Sequence, residues 1–292
     1  AFIVHETGPA GYGWEVVSRS WSGPQIGLEA DNLNSDRTEI EGWLPRDSAE
    51  TIFESAGLNY QELKNAAAQR GFEAVALGNI QASVSIENNV RTSTSQNVIA
   101  AVQGSQHPEE TIIYTAHWDH LGVNSELEGD NIYNGAADNA TGTAGLLALA
   151  EMHMRQNPPE RTIVFLAVTA EESGLLGSQW YAEHPIYPIE LTVANINMDN
   201  LNTFGRMHDV VVVGARSSEL ENYLADAAEA QNRYVTAEPN PERGYYYRSD
   251  HFNFAKVGVP ALFAESGEDS IKNGRAWGAA QAQDYTDNRY HA

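Results

Sequence analysis

Three apolar runs of the chain end directly on side chains that can hold a cation or move a proton. Thr-Ile-Ile-Tyr-Thr-Ala (111–116) leads into His117-Trp118-Asp119, Thr-Ile-Val-Phe-Leu-Ala-Val-Thr-Ala (162–170) into Glu171-Glu172, and Val-Ala-Asn-Ile-Asn-Met (193–198) into Asp199. In open α/β sheets, sites form at the carboxyl ends of the strands, where neighbouring loops converge. Three strands delivering acceptor groups to one edge is a stronger signal than any one motif. His117-x-Asp119 fits a ligating imidazole plus a carboxylate that fixes its ring, because a metal-bound histidine donates its other N–H to an outer acceptor. Taken alone, it reads equally well as a polar turn after a strand. Asp138 lies in Gly-Ala-Ala-Asp-Asn-Ala-Thr-Gly-Thr (135–143), where a helix N-terminus already favours negative charge. Beside other ligands, such a carboxylate can bridge two cations.

Glu171 and Glu172 are adjacent and project in different directions, so one can ligate while the other stands over a bound water. Two carboxylates at a buried strand end repel and resist desolvation, and nearby cations relieve both costs. Asp199 is flanked by Asn197 and Asn200, a polar cluster that needs partners if buried. His120 adjoins the His117 motif without a specific role. The chain has no cysteine, which excludes disulfides, thiolate metal sites and cysteine nucleophiles, and leaves any metal to His and carboxylates. There is no H-E-x-x-H, G-x-S-x-G, P-loop or Gly-rich dinucleotide turn. Forty acidic against 17 basic residues give a net charge of −23, whose field repels phosphates and argues against nucleic acid and anionic membranes. No apolar run is long enough to span a bilayer.

The elements that must position these groups follow from periodicity. Phe2–His5 reads as a strand and 47–68 as a helical run. Ala82-Ser-Val-Ser-Ile alternates like a half-buried strand, and Asn97-Val-Ile-Ala-Ala-Val is a second. Beyond them strands and helices alternate in βαβ fashion. Further strands fall at Val210–Val213 and Ala261–Ala264. Helices fall at 141–154, with Leu146, Leu147, Ala150 and Met154 on one face, and at 217–231. The change of pattern places a domain boundary near residue 82, separating 1–82 from 83–292. The N-terminus carries neither an initiator Met nor a basic leader, and the expectation is a secreted or periplasmic protein whose leader is not in this chain.

His117-Trp-Asp-His-Leu-Gly122, Gly135–Gly142, Glu171-Glu-Ser-Gly-Leu-Leu-Gly-Ser178, Met198-Asp199, Ser249-Asp250-His251 and Gly258-Val-Pro-Ala261 occur in a characteristic order. As an ordered set they resemble the co-catalytic zinc aminopeptidase family that includes glutamate carboxypeptidase II and the transferrin receptor. The resemblance covers about residues 95–292, and residues 1–82 resemble part of a protease-associated domain. It implies an α/β fold with a mixed, mainly parallel sheet flanked by helices. It also implies two Zn²⁺ per chain, with His117 and Asp199 on one, Glu172 and a late histidine on the other, and Asp138 bridging. Glu171 would be the general base acting on zinc-bound water, Asp119 would orient His117, and the Asp138–Asn139 peptide would be cis. The family's last ligand is an aromatic-His pair, which Tyr290-His291 matches. His251 is the rival on composition.

The expected substrates are peptides, cut at the N-terminal residue because a carboxylate-rich site suits a free α-amine. A carboxypeptidase on the same site, with Arg248 as a basic anchor, is the alternative. So are a non-enzymatic receptor-like module and an aminoacyl cyclase.

Overall fold

The computed structural model describes every residue except 22, 33, 36, 126, 127 and 292. The chain forms two compact units, one of residues 1–17 and 29–94, the other of 18–28 and 95–292. In the first, β1 (Phe2–His5) pairs in parallel with β2 (Gly42–Pro45). Helices α1 (Thr7–Ala10), α3 (Arg46–Ser55) and α4 (Tyr60–Ala67) belong to it, and α2 (Trp14–Trp21) begins in it. The single helical run expected over 47–68 is two helices. Left-handed Gly57 (φ 72°) ends the first, and the Asn59 side chain accepts the Glu62 N–H to cap the second. Ala82–Ile86 forms no strand: Val84 and Ile86 are exposed, and an alternating pattern needs a sheet edge to bury its apolar half. The units divide at 94/95, later than the change of pattern at residue 82 suggested.

The second unit contains β3 (Val98–Val102), β4 (His107–His117), β5 (Gly122–Val123), β6 (Ile132–Tyr133), α5 (Ala140–Arg155), β7 (Arg161–Val168), α6 (Leu176–Glu183) and β8 (Thr192–Asn197). These are followed by β9 (Asp209–Val213), α7 (Leu220–Ala230), β10 (Tyr234–Ala237), α8 (His251–Lys256), β11 (Ala261–Ser266) and α9 (Arg275–Asn288). Seven strands make one sheet in the order β10-β9-β11-β8-β4-β7-β3. Its centre, β11-β8-β4-β7, is parallel; β9 runs antiparallel to β11, and β3 antiparallel to β7. The fold is therefore α/β, with a mixed, mainly parallel sheet flanked by helices.

Alternation along β7 builds both layers. Val164, Leu166 and Val168 pack with Ile113, Tyr181 of α6 and Phe254 of α8. Ile163 and Phe165 pack with Ala116 and Leu146 of α5 on the opposite face. Each such side chain contributes about 1.5–3 kcal/mol on burial. The buried stripe of α5 differs from expectation. Gly142 and Leu146 face the sheet, whereas Leu147 and Met154 are exposed, each one residue (about 100° of helix) out of phase with that stripe. Because β7, β4 and β8 are parallel neighbours, Glu171, His117 and Asp199 leave the sheet at the same edge.

Candidate metal centre

Side-chain hydrogen bonds tie the loops at that edge to one another. Asn139 donates to the Met198 carbonyl (3.0 Å), and its Oδ1 accepts the N–H groups of Gly142 (2.9 Å) and Asn200 (3.2 Å). One residue thus caps α5 and holds the Asp138 turn against the end of β8. Gly142 permits the approach, since a Cβ there would lie 2.5 Å from the Met198 carbonyl oxygen. The Asp138–Asn139 peptide is cis, as the resemblance implies. The Asp119 carboxylate accepts the N–H groups of Glu171 (3.0 Å) and Glu172 (3.3 Å), so the loop after β4 holds the turn after β7. Ala170, Asn200 and His291 adopt left-handed φ angles of 54°, 49° and 55°. Such residues cost about 1–3 kcal/mol each and collect where a site over-determines its backbone.

Within this frame two sets of donor atoms share Asp138. Its Oδ1 lies 3.1 Å from His117 Nε2, which is also 3.1 Å from Asp199 Oδ1. Its Oδ2 lies 3.5 Å from His291 Nε2, which is 3.3 Å from Glu172 Oε2. Each oxygen of one carboxylate therefore faces a different histidine, and each histidine faces a second carboxylate. His117 Nδ1 sits 3.1 Å from the Asp119 carbonyl oxygen, nearer than the Asp119 carboxylate at 3.8 Å. A carbonyl only accepts, so Nδ1 carries a proton, and Nε2 is turned toward the two carboxylates. Burial opposes charge on His117, yet Asp199, Asp138 and Glu171 outweigh it and raise its pKa well above the ordinary value. The site demands positive charge at this point.

The same demand holds at His291, whose Nε2 is buried without a hydrogen-bond partner. Tetrahedral zinc with bonds of about 2.0–2.1 Å spaces its ligands about 3.3 Å apart. The histidine-to-carboxylate separations of 3.1, 3.1, 3.5 and 3.3 Å match that spacing, and donor atoms within 4.8 Å of one another are offered by His117, Asp138 and Asp199, by His117, Glu171 and Glu172, and by His120, Asp138 and Glu172. Hydrogen-bond contacts at the rim are shorter: His120 Nδ1 to Glu172 Oε1 is 2.6 Å, and Ser249 Oγ to Asp199 Oδ2 is 2.7 Å. Among the described residues the Glu171 carboxylate makes no hydrogen bond or ion pair, although it lies within 4.8 Å of donor atoms of His117 and Glu172. Burial first, then Asp199, Asp250 and Glu172, raise its pKa well above the usual carboxylate range against the pull of His117. Burial also pushes Asp250 to about 7.

His251 is not brought into the centre. It is fully buried between Tyr246 (4.9 Å) and Phe263 (5.0 Å), neither ring nitrogen has a hydrogen-bond partner, and burial lowers its pKa to about 4. It opens α8. Arg248 donates to the Arg243 carbonyl (2.7 Å) and lies over the Tyr245 ring.

Sequence reasoning missed the supports. His120 orients Glu172. A buried chain of hydrogen bonds runs from Asn195 to Thr115 (3.1 Å), Asn197 (2.7 Å), Ser249 (2.7 Å) and Asp199, and leaves Asp199 Oδ1 facing His117. Polar residues at alternate positions of the otherwise apolar β8 were the available signal.

Aminopeptidase NAALADL1 of Mus musculus is 34% identical over 122 residues, covering 40% of this chain and 15% of that protein. Aminopeptidase YwaD of Bacillus subtilis is 33% identical over 112 residues, 38% of this chain and 22% of that protein. Among solved structures, BSAP, a zinc aminopeptidase from Bacillus subtilis, aligns at 23% identity and a TM-score of 0.46 over 65% of this chain and 48% of that one. The chain spans well under half the length of the curated relatives it matches. The model of peptidase family M28 matches residues 97–292, more than half of the chain and every residue of the centre described above, and the chain belongs to that family.

Proposed function

We propose that this chain carries the catalytic unit of a zinc-dependent aminopeptidase that releases N-terminal residues from peptides. The observation that carries the reading is Asp138, whose two oxygens face His117 and His291 separately, each histidine joined by a further carboxylate. One zinc ion would be held by His117, Asp199 and Asp138, and a second by His291, Glu172 and Asp138. Two such ions supply Lewis-acid chemistry, lowering the pKa of water and stabilising a developing oxyanion.

Glu171 performs the proton transfer. Its carboxylate lies within 4.8 Å of donor atoms of His117 and Glu172, and its surroundings favour taking up a proton. It removes a proton from the attacking water as the new C–O bond forms, then passes that proton to the amine as the C–N bond breaks. Asp119 holds Glu171 in place through its backbone N–H. The preference for a free N-terminus is supported by the carboxylate-rich surroundings and by the engagement of Arg248 with the Arg243 carbonyl and Tyr245. The first unit we read, from the resemblance, as part of a protease-associated domain.

A panel of aminoacyl chromogenic substrates, N-blocked peptides and peptides cleaved at the C-terminus tests the reading, with and without a chelator. Hydrolysis of free-amine substrates only, abolished by chelator and restored by zinc, is expected. Cleavage confined to C-terminal residues would make it a carboxypeptidase, and metal-free protein as isolated would point to a binding module.

A further inference from the structure

His291 belongs to the second of the two donor sets. It follows the end of α9, has a left-handed φ of 55°, and depends on side-chain contacts for its aim. Two of those contacts come from the far end of the sequence. The last turn of α2 lies in the second unit, and Ser20 Oγ is 2.9 Å from His291 Nδ1 across 271 residues. The neighbouring Arg19 guanidinium donates to the His291 carbonyl oxygen (3.4 Å), and the Tyr290 ring stacks on the imidazole at 4.0 Å.

We propose that Ser20 is a positioning residue for His291: its hydroxyl accepts the Nδ1–H and so sets the tautomer and rotation that aim the Nε2 lone pair between Asp138 and Glu172. Ser20 can act this way only if His291 is a zinc ligand, as proposed above. A hydroxyl can donate or accept, and the choice is decided on the other side of the ring. Were Ser20 to donate, Nε2 would carry the proton and have no lone pair for a cation. Were the ring unsupported, it could rotate away from carboxylate oxygens 3.5 and 3.3 Å from Nε2. Outer contacts of this kind are worth about 10–100-fold in metal affinity.

The test measures zinc binding by the full chain, titrated against a chromogenic chelator, with zinc per chain after dialysis and far-UV circular dichroism of the metal-free protein. Ser20→Ala should weaken one of the two ions by about 10–100-fold and leave the other unchanged. Ser20→Asp, which can only accept, should keep both. The role of Ser20 is overturned if Ser20→Ala binds both ions as the parent does, if both ions weaken equally, or if Ser20→Asp is as weak as Ser20→Ala. Should Ser20→Ala fail to fold, the isosteric pair Ser20→Thr and Ser20→Val decides: Thr keeps the tighter binding and Val loses it, and equal binding by the two refutes the role. His291→Ala separates the two levels. If it loses one ion while Ser20→Ala loses none, only the role of Ser20 falls. If His291→Ala keeps both ions, the ligand reading of His291 falls with it.

Discussion

The proposed reading gives the chemically identical neighbours Glu171 and Glu172 different work, so exchanging each for glutamine separates the work from the chemistry. Glu172 Oε1 is tied to His120 at 2.6 Å and Oε2 faces His291 at 3.3 Å, which places its carboxylate in the donor set. Among the described residues the Glu171 carboxylate has no such contact, and burial with neighbouring carboxylates raises its pKa. Glu171→Gln keeps the volume and removes the base. A positioned general base contributes about 10²–10⁴-fold, so kcat should fall by at least about a hundredfold, equivalent to about 2.7–5.4 kcal/mol at 1.36 kcal/mol per decade. Zinc content should not change. Thermal stability should not drop either, because the lost group is one whose charge burial disfavours. On the proposed reading, Glu172→Gln would instead leave a second ion with only Asp138 and His291, short of the three protein ligands typical of a catalytic zinc. It should lose about one ion per chain on dialysis. Metal analysis of both variants beside their steady-state rates is the assay. Loss of zinc from Glu171→Gln together with full zinc in Glu172→Gln would reverse the assignment of the pair.

Three further outcomes are expected. His291→Ala should lose about one zinc per chain while His251→Ala keeps both, and the opposite pattern would make His251 the ligand. His251 should also govern acid stability. Its folded pKa of about 4 lies below the ordinary 6.5, so between those values the unfolded chain binds the extra proton. Stability is then complete above pH 6.5 and lost as the pH falls toward 4, by up to about 3 kcal/mol. His251→Leu should flatten this part of a plot of Tm against pH, and an unchanged slope would refute the origin. Finally, a Cβ at Gly177 would meet the Thr169 carbonyl oxygen at 2.2 Å. Gly177→Ala should therefore cost about 1–3 kcal/mol by overpacking, read as a lower Tm, and a Tm equal to that of the parent would show that the turn before Glu171 yields freely.

The strands bearing the centre were legible because they are buried on both faces and so read as continuous apolar runs, as in Ile112–Ala116 and Ile163–Val168. Weaker patterns misled. Ala82–Ile86 alternates like a strand but finds no partner, and Leu147 and Met154 carry hydrophobicity without burial. Periodicity reports what a segment could bury, whereas burial depends on what lies opposite.

The histidine at the end of the chain shows the division most clearly. Composition left His251 and His291 as rivals, and only the order of motifs favoured His291. The tertiary structure encloses His251 among aromatic rings and brings His291 to Asp138 and Glu172. By itself the sequence determined which residue types gather at one sheet edge and that any cation there is held by imidazole and carboxylate. Which oxygen faces which nitrogen, and that Asn139, His120, Ser249 and Ser20 hold those groups in place, was decided only by folding. The reason is physical. Ligand types follow from local chemistry and element order, but a carboxylate's rotation and an imidazole's tautomer are set by hydrogen bonds to residues distant in the chain, which no local pattern encodes.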